Sequence, residues 1–402
     1  MPERLKTILS AIVILLTACV LGFLIWYFFF KAPLPSPTVP TVPVGPGQFP
    51  VGGEGAPVAV TPRPPESLVG ALEPLPTFAP GAQGATQIMT ENPAQNLIVS
   101  GNTASFYDPN NGTFSKLDAN GNIVKLSDKT FFDVNKVTWA PSAEKAILEF
   151  PDKSKVIYDF KTEKQITLPK HWEDFGFSPD GNKIIGKSIG QDVESRWLFV
   201  SNSDGSQNQA IQELGVNAGK VDVSWSPGNQ VVAFARTGQP RDGESQEIIP
   251  LGLNHENFKS MIVPGFGFDP KWSPDGSTLL YSVYNTASGY RPELYIATGG
   301  TNTLGENRQF LKLQTWANKC SYQSATIIYC AVPTSLEAGV GIVPEAADNT
   351  NDSIYRINTA TGVQELVVPP ASQTISQISA SADGRTLYYT DTQTGRLNKV
   401  SM

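Results

Sequence analysis

Few residues in this 402-residue chain have the types and spacing needed for covalent chemistry. Gly186-Lys187-Ser188-Ile189-Gly190 matches the G-x-S-x-G pattern of a serine nucleophile. That chemistry requires the serine on a strand-to-helix turn, with a histidine and a carboxylate aimed at its hydroxyl. Here the pentapeptide closes a strand-like run, and the chain holds only two histidines, His171 and His255. Neither has the cysteine or carboxylate neighbours of a zinc site, so both read as lone surface or turn residues. Asp108-Pro109-Asn110-Asn111-Gly112 has the composition of a calcium loop but lacks the later bidentate glutamate and the full ligand alternation. An Asx turn accounts for the same residues. The sequence therefore assigns no catalytic residue, no metal ligand and no cofactor.

Cys320 and Cys330 say more. They flank a strand–turn–strand run between Trp316 and Ala331, one on each expected strand, where Cβ atoms across a ladder approach bonding distance. This run lacks the turn sequence found elsewhere in the chain, and a disulfide is predicted in its place. Closing a loop of about 11 residues contributes about 3 kcal/mol at most in the chain-entropy model. A disulfide also agrees with export from the cytosol.

The elements that hold these residues follow from one stretch, residues 268–283. In it, Trp272 ends a strand, Ser273-Pro274-Asp275-Gly276 makes a tight turn, and Leu279-Leu280-Tyr281-Ser282-Val283 forms the next strand. Proline presets φ for the turn, aspartate bonds the amides ahead of it, and glycine takes the left-handed position. Weaker copies start at Trp139, Phe177, Trp225 and Trp316, and a last one carries Asp383-Gly384 after Ala380. Starting positions 139, 177, 225, 272, 316 and 380 are 38, 48, 47, 44 and 64 residues apart. A repeat of roughly 40–50 residues with four short strands each is the pattern of β-propeller blades. An insertion over residues 335–352 explains the longest interval.

Four short runs between residues 95 and 126, set apart by Asn/Gly turns, form a blade without the Trp-Ser-Pro turn. The fold predicted is all-β, a propeller of seven blades, or six if those runs only complete the last blade. Ring closure requires residues 95–101 to lie beside residues 374–402, which removes the open edges. Tryptophans recurring at one blade position pack between blades. Binding is assigned instead to less repetitive residues, Trp172, Tyr290, Arg291 and the 335–352 insertion, because propellers bind through loops on one face.

Outside the repeats the chain changes character. Residues 1–6 form a short tip with Arg4 and Lys6, and residues 7–30 carry no charge. About 24 helical residues reach about 36 Å, enough for a hydrocarbon core of about 30 Å. Residues 7–30 are therefore predicted to be a transmembrane signal-anchor, with the tip cytoplasmic and the rest exported to the periplasmic or extracellular side. Leu16-Thr17-Ala18-Cys19 matches a lipoprotein box, but the apolar run continues eleven residues beyond the cysteine, which favours the uncleaved anchor. Residues 31–94 read as a linker, Pro-rich up to about residue 85, acting as a semi-rigid spacer between the membrane and a propeller over residues 95–402. The net charge of −7, without a dense Lys/Arg cluster, argues against nucleic acid as a partner.

The Trp-Ser-Pro-Asp-Gly units resemble the WD40-like repeats of TolB-type propellers and of dipeptidyl-peptidase S9 propellers, over residues 95–402. The resemblance implies an exported envelope propeller that binds other proteins. It implies a peptidase only where a hydrolase domain accompanies the propeller. The expected role is a non-enzymatic, membrane-tethered module binding a protein, peptide or glycan in the cell envelope. The competing expectation is a hydrolase, lyase or sensor accessory whose channel site leaves no linear motif.

Overall fold

The computed structural model describes residues 86–118, 120–239, 243–370 and 373–402. The predicted anchor, Cys19 and the linker up to residue 85 lie outside these residues. No helix among the described residues is long and apolar enough to cross a membrane.

The strands pair into seven antiparallel four-stranded sheets. Blade I begins with Gln95–Ser100, II with Lys136–Trp139, III with Trp172–Phe177 and IV with Val221–Val223. Blade V begins with Phe266–Trp272, VI with Cys320–Tyr322 and VII with Ile375–Ala380. First strands touch between blades I and II, II and III, III and IV, VI and VII, and VII and I, so they line a central channel. Seven apolar clusters fill the spaces between neighbouring blades. One of them joins Leu97, Ala104 and Phe106 of blade I to Tyr388 and Leu397 of blade VII, which shuts the ring. The protein is a seven-bladed β-propeller.

The closing strand comes from a stretch that the sequence reading assigns to the linker. Thr86–Ile88 pairs with Leu397–Ser401 as the outer strand of blade VII, so the propeller starts before Gln95. Three residues are too few to show a β alternation, which is why the pattern is silent there. Residues 95–101 do meet blade VII: the Gln377 amide donates to the Leu97 carbonyl (2.5 Å) and accepts from its N–H (3.0 Å), and the Gly101 carbonyl accepts the Ala382 amide (2.8 Å).

The repeated turn has a common wiring. Ser273 Oγ donates to Asp275 Oδ1 (2.7 Å) and accepts from the Thr278 amide (3.0 Å), while Gly276 sits at φ +72°. Ser178–Asp180 and Ser381–Asp383 repeat the serine-to-carboxylate bond at 2.5 and 2.6 Å. Each anchor at the end of a first strand packs on the preceding blade. Trp272 stacks on Phe234 and donates its indole N–H to Ser224 Oγ (3.0 Å). Trp139 packs against Phe114 and Phe160 and donates to the Asn96 carbonyl (2.6 Å). Phe177 and Trp225 do the same in the apolar spaces II/III and III/IV.

Blade VI departs from this wiring. Trp316 lies in the connector before the first strand, ahead of a 3-10 turn at Ala317–Lys319. Tyr322 takes the anchor position instead, opposite Ile328, and burial pushes its phenol up to about 12. Counting from tryptophans misplaces this anchor by six residues, because an aromatic of another type fills it. Cys320 and Cys330 are directly opposed, with Cα atoms 4.0 Å apart, and form a disulfide.

Candidate functional site

Two regions of the propeller could serve function: the channel wall and one rim of loops. The wall is set by register. Three residues before each anchor stand Lys136, Asp174, Asp222, Asp269, Lys319 and Gln377, in blades II to VII. Lys136 with Asp174, Asp269 and Gln377 reach the neighbouring blade, while Asp222 and Lys319 are held by partners of their own blade. The Lys136 ammonium lies 3.8 Å from Glu149 and 3.9 Å from Asp174. Buried Lys187 also pairs with Asp174 and donates to the Ala218 and Val221 carbonyls of blade IV, both at 3.0 Å. Arg236 holds Asp222 with two nitrogens, at 2.6 and 3.2 Å.

Asp269 accepts from the Asn318 amide of blade VI (3.1 Å), and Lys271 donates to the Cys320 carbonyl of the same blade. Lys319 contacts both oxygens of Asp352 at 2.8 Å. Five cations thus face five carboxylates, Glu149, Asp174, Asp222, Asp269 and Asp352. Burial raises the carboxyls of Glu149, Asp269 and Asp352 above their ordinary range and lowers the Lys271 amine below its own. The wall is polar, close to neutral and internally compensated. It can hydrogen-bond a polar guest, and Asp269 with Lys271 forms its one acid–amine couple with opposed shifts among the described residues.

The loop rim follows from topology. In a four-stranded meander the first-to-second and third-to-fourth turns leave at one end. The second-to-third loops and the connectors between blades leave at the other. The Ser-Pro-Asp-Gly turns, the C-terminal Met402 and the start of Thr86–Ile88 lie at the turn face. His171, Tyr290, Arg291 and the insertion between Ile327–Pro333 and Asp352–Asn358 lie at the loop face.

Of the predicted binding residues, the fold brings Tyr290, Arg291 and the insertion together and removes Trp172. Trp172 is buried against Phe199, with ring centroids 3.9 Å apart, because it opens a first strand between two blades. Arg291 is a clasp rather than a free cation: Nε donates to the Leu336 carbonyl of the insertion (2.7 Å) and Nη1 to Ser288 (3.2 Å). Backbone bonds Gly339 N–H to Gly289 (2.9 Å) and Gly341 N–H to Tyr290 (2.7 Å) complete the zipper. Gly341 is needed for it, since a Cβ there would meet Tyr284 and the Tyr290 carbonyl at 2.6 Å. Tyr290, Ile342 and Val343 stay exposed, at 38, 55 and 54%.

No family model matches the chain, and no curated protein matches it. Solved structures do. An oligogalacturonate lyase in complex with manganese superposes with a TM-score of 0.56 at 15% identity, covering 81% of this chain and 95% of its own. The β-propeller domain of Myceliophteria thermophila Cps50 (Swd1) superposes at 0.53 and 11% identity, over 79% of this chain and all 100% of that one. A Vibrio parahaemolyticus oligogalacturonate lyase gives 0.50 at 12% identity, over 81% and 95%. Likeness at these identities speaks to the fold alone. It agrees with the resemblance to WD40-like propellers.

The remaining motifs have structural places. Ser188 sits within the strand Lys183–Ile189, opposite Trp172 and Trp197, with no strand-to-helix turn at it. Asp108 Oδ1 accepts the Asn110 and Asn111 amides (2.9 and 3.1 Å), which makes residues 108–111 an Asx turn. His171 and His255 are exposed and far apart in sequence, in a connector and an outer loop. Sequence reasoning missed the charged ring: counting three residues back from each anchor finds Lys136, Asp174, Asp222 and Asp269, but not Lys319, whose anchor is a tyrosine, nor the partners that come from other strands.

Proposed function

We propose that the chain is a membrane-tethered, exported propeller that acts as a non-enzymatic binding module for a protein, peptide or glycan of the cell envelope. The observation that carries this reading is the contrast between the two regions. Channel charges are spent on one another, while the loop face holds apolar side chains outward on a rigidly zipped support. The anchor over residues 7–30 supplies the tether, and the described fold begins at Thr86 on the turn face, opposite those loops. The test is site-specific photo-crosslinking in the cells that make the protein. A photoreactive residue at Tyr290 or Val193 on the loop face should give discrete adducts, and one at Val363 on the turn face should not. Adducts of equal yield from both faces, or none from the loop face, defeat the reading.

A second reading rests on Asp269 and Lys271. An acid raised by burial beside an amine lowered by burial is a donor–acceptor couple suited to hydrolase or lyase chemistry in the channel. Two solved structures of this fold are oligogalacturonate lyases, so turnover of acidic oligosaccharides by the full chain, abolished in Asp269→Asn, would favour this alternative.

A further inference from the structure

We infer that the zipped loops of blades V and VI form a docking platform for a cationic, apolar-bearing segment of a partner protein. The inference rests on the binding reading above and names the partner's chemistry. Three observations carry it. The first is rigidity: Arg291 and two backbone bonds fix the insertion to the neighbouring blade, so binding orders little that is not already ordered. The second is apolar exposure. Ile342 and Val343 directly follow the Gly341 that bonds Tyr290, so two exposed aliphatic side chains adjoin a Tyr290 ring that rests edge-on against Tyr284 of blade V and still stays exposed. Fixed aromatic and aliphatic groups of this kind are the anchors on which interfaces depend.

The third observation is charge. The insertion bears exposed Glu337, Glu345 and Asp348 and contains no lysine or arginine. The nearest cation on the adjoining loop, Arg291, is consumed in the zipper. An apolar centre with a rim of carboxylates selects a segment in which lysine or arginine flanks aromatic or aliphatic residues, and repels an acidic one.

The test uses the full chain in detergent micelles, with random 12-residue peptides displayed on phage as the probe. Selection on the wild-type chain, with counter-selection on the Ile342→Ser/Val343→Ser variant, should enrich peptides that combine net positive charge with aromatic or aliphatic residues. Synthetic versions should bind at least about tenfold more weakly to that variant and to Glu345→Lys/Asp348→Lys. Val363→Ser, on the turn face, should leave binding unchanged. Failure to enrich any peptide, enrichment of neutral or acidic peptides, or equal binding to the loop variants overturns the inference. Photo-crosslinks at Val193 that persist in the Ile342→Ser/Val343→Ser variant would keep the broader binding reading while removing this platform from it.

Discussion

Removing the Cys320–Cys330 bond gives the most direct test of how blade VI is held. The bond spans 10 positions in sequence, closing a loop of about 11 residues. Chain entropy then assigns it about 9 cal/mol/K, or about 2.8 kcal/mol at 25 °C. The described propeller, from Thr86 to Met402, is about 317 residues long, and unfolding entropy of about 2.1 cal/mol/K per residue gives about 0.67 kcal/mol/K for the whole. Dividing the two, the Cys320→Ala/Cys330→Ala variant should melt about 4 °C below the wild type. Both cysteines are fully buried, so reductant added to the folded protein should act slowly.

The assay is calorimetry or circular dichroism on four samples. Wild type and variant are each unfolded and refolded with and without reductant. Reduced wild type should fall to the variant's melting temperature, and the variant should ignore reductant. A variant within about 1 °C of oxidised wild type would refute the argument. So would a variant that responds to reductant as the wild type does.

Other substitutions test the stitching. Lys187→Met strips the Ala218 and Val221 carbonyls of their donor and should cost about 1–3 kcal/mol in urea unfolding, whereas Lys170→Met, at an exposed pair with Asp152, should cost clearly less. In the repeated turn, the Ser273 hydroxyl and then the following amides hold the Asp275 carboxyl below its ordinary 3.8. A depressed folded value means stability is present above 3.8 and lost as pH falls through the lower folded value. The deficit of Asp275→Asn, at most about 1 kcal/mol at neutral pH, should therefore shrink as pH falls below about 4 when followed by urea titration. Gly341→Ala should unzip the insertion, seen as faster protease cleavage within residues 334–351 at nearly unchanged global melting.

The propeller repeat, its turn and the disulfide were legible because each rests on local chemistry: Pro-Asp-Gly spacing, strand alternation and two cysteines on facing strands; the choice of seven blades over six was not. The rest depends on partners distant in sequence. Arg291 looks like a free cation until the Leu336 carbonyl, 45 residues on, is brought to it. Trp172 looks non-repetitive, hence available, until the third strand of its own blade places Phe199 against it. Lys136 and Asp174 belong to different repeats, and only the curvature of the ring makes them neighbours. The closing strand Thr86–Ile88 has almost no pattern of its own; its place is dictated by the free edge of Leu397–Ser401.

Blade VI breaks the repeat in three ways, and the three are connected. It lacks the Ser-Pro-Asp-Gly turn, carries the disulfide and bears the insertion. Both feet of the insertion stand on the departures: Pro333 and Asp352 pair across the strands, Cys330 bonds Cys320, and Lys319 beside that cysteine grips Asp352. Asp352 is fully buried and also accepts the Ile375 amide of blade VII (2.7 Å), so one carboxylate ties the insertion to two blades. Lys319→Met leaves that carboxylate buried without its cation, at a cost of about 3–5 kcal/mol. Burial already raises this acid, so in the variant it should protonate in the folded state before the unfolded one, and the deficit should shrink as pH falls toward about 4. Hydrogen exchange of residues 334–351 should quicken in Lys319→Met and recover in Lys319→Met/Asp352→Leu, where no charge is left to compensate. Unchanged exchange in the single variant would mean that the platform stands on its zipper to blade V alone.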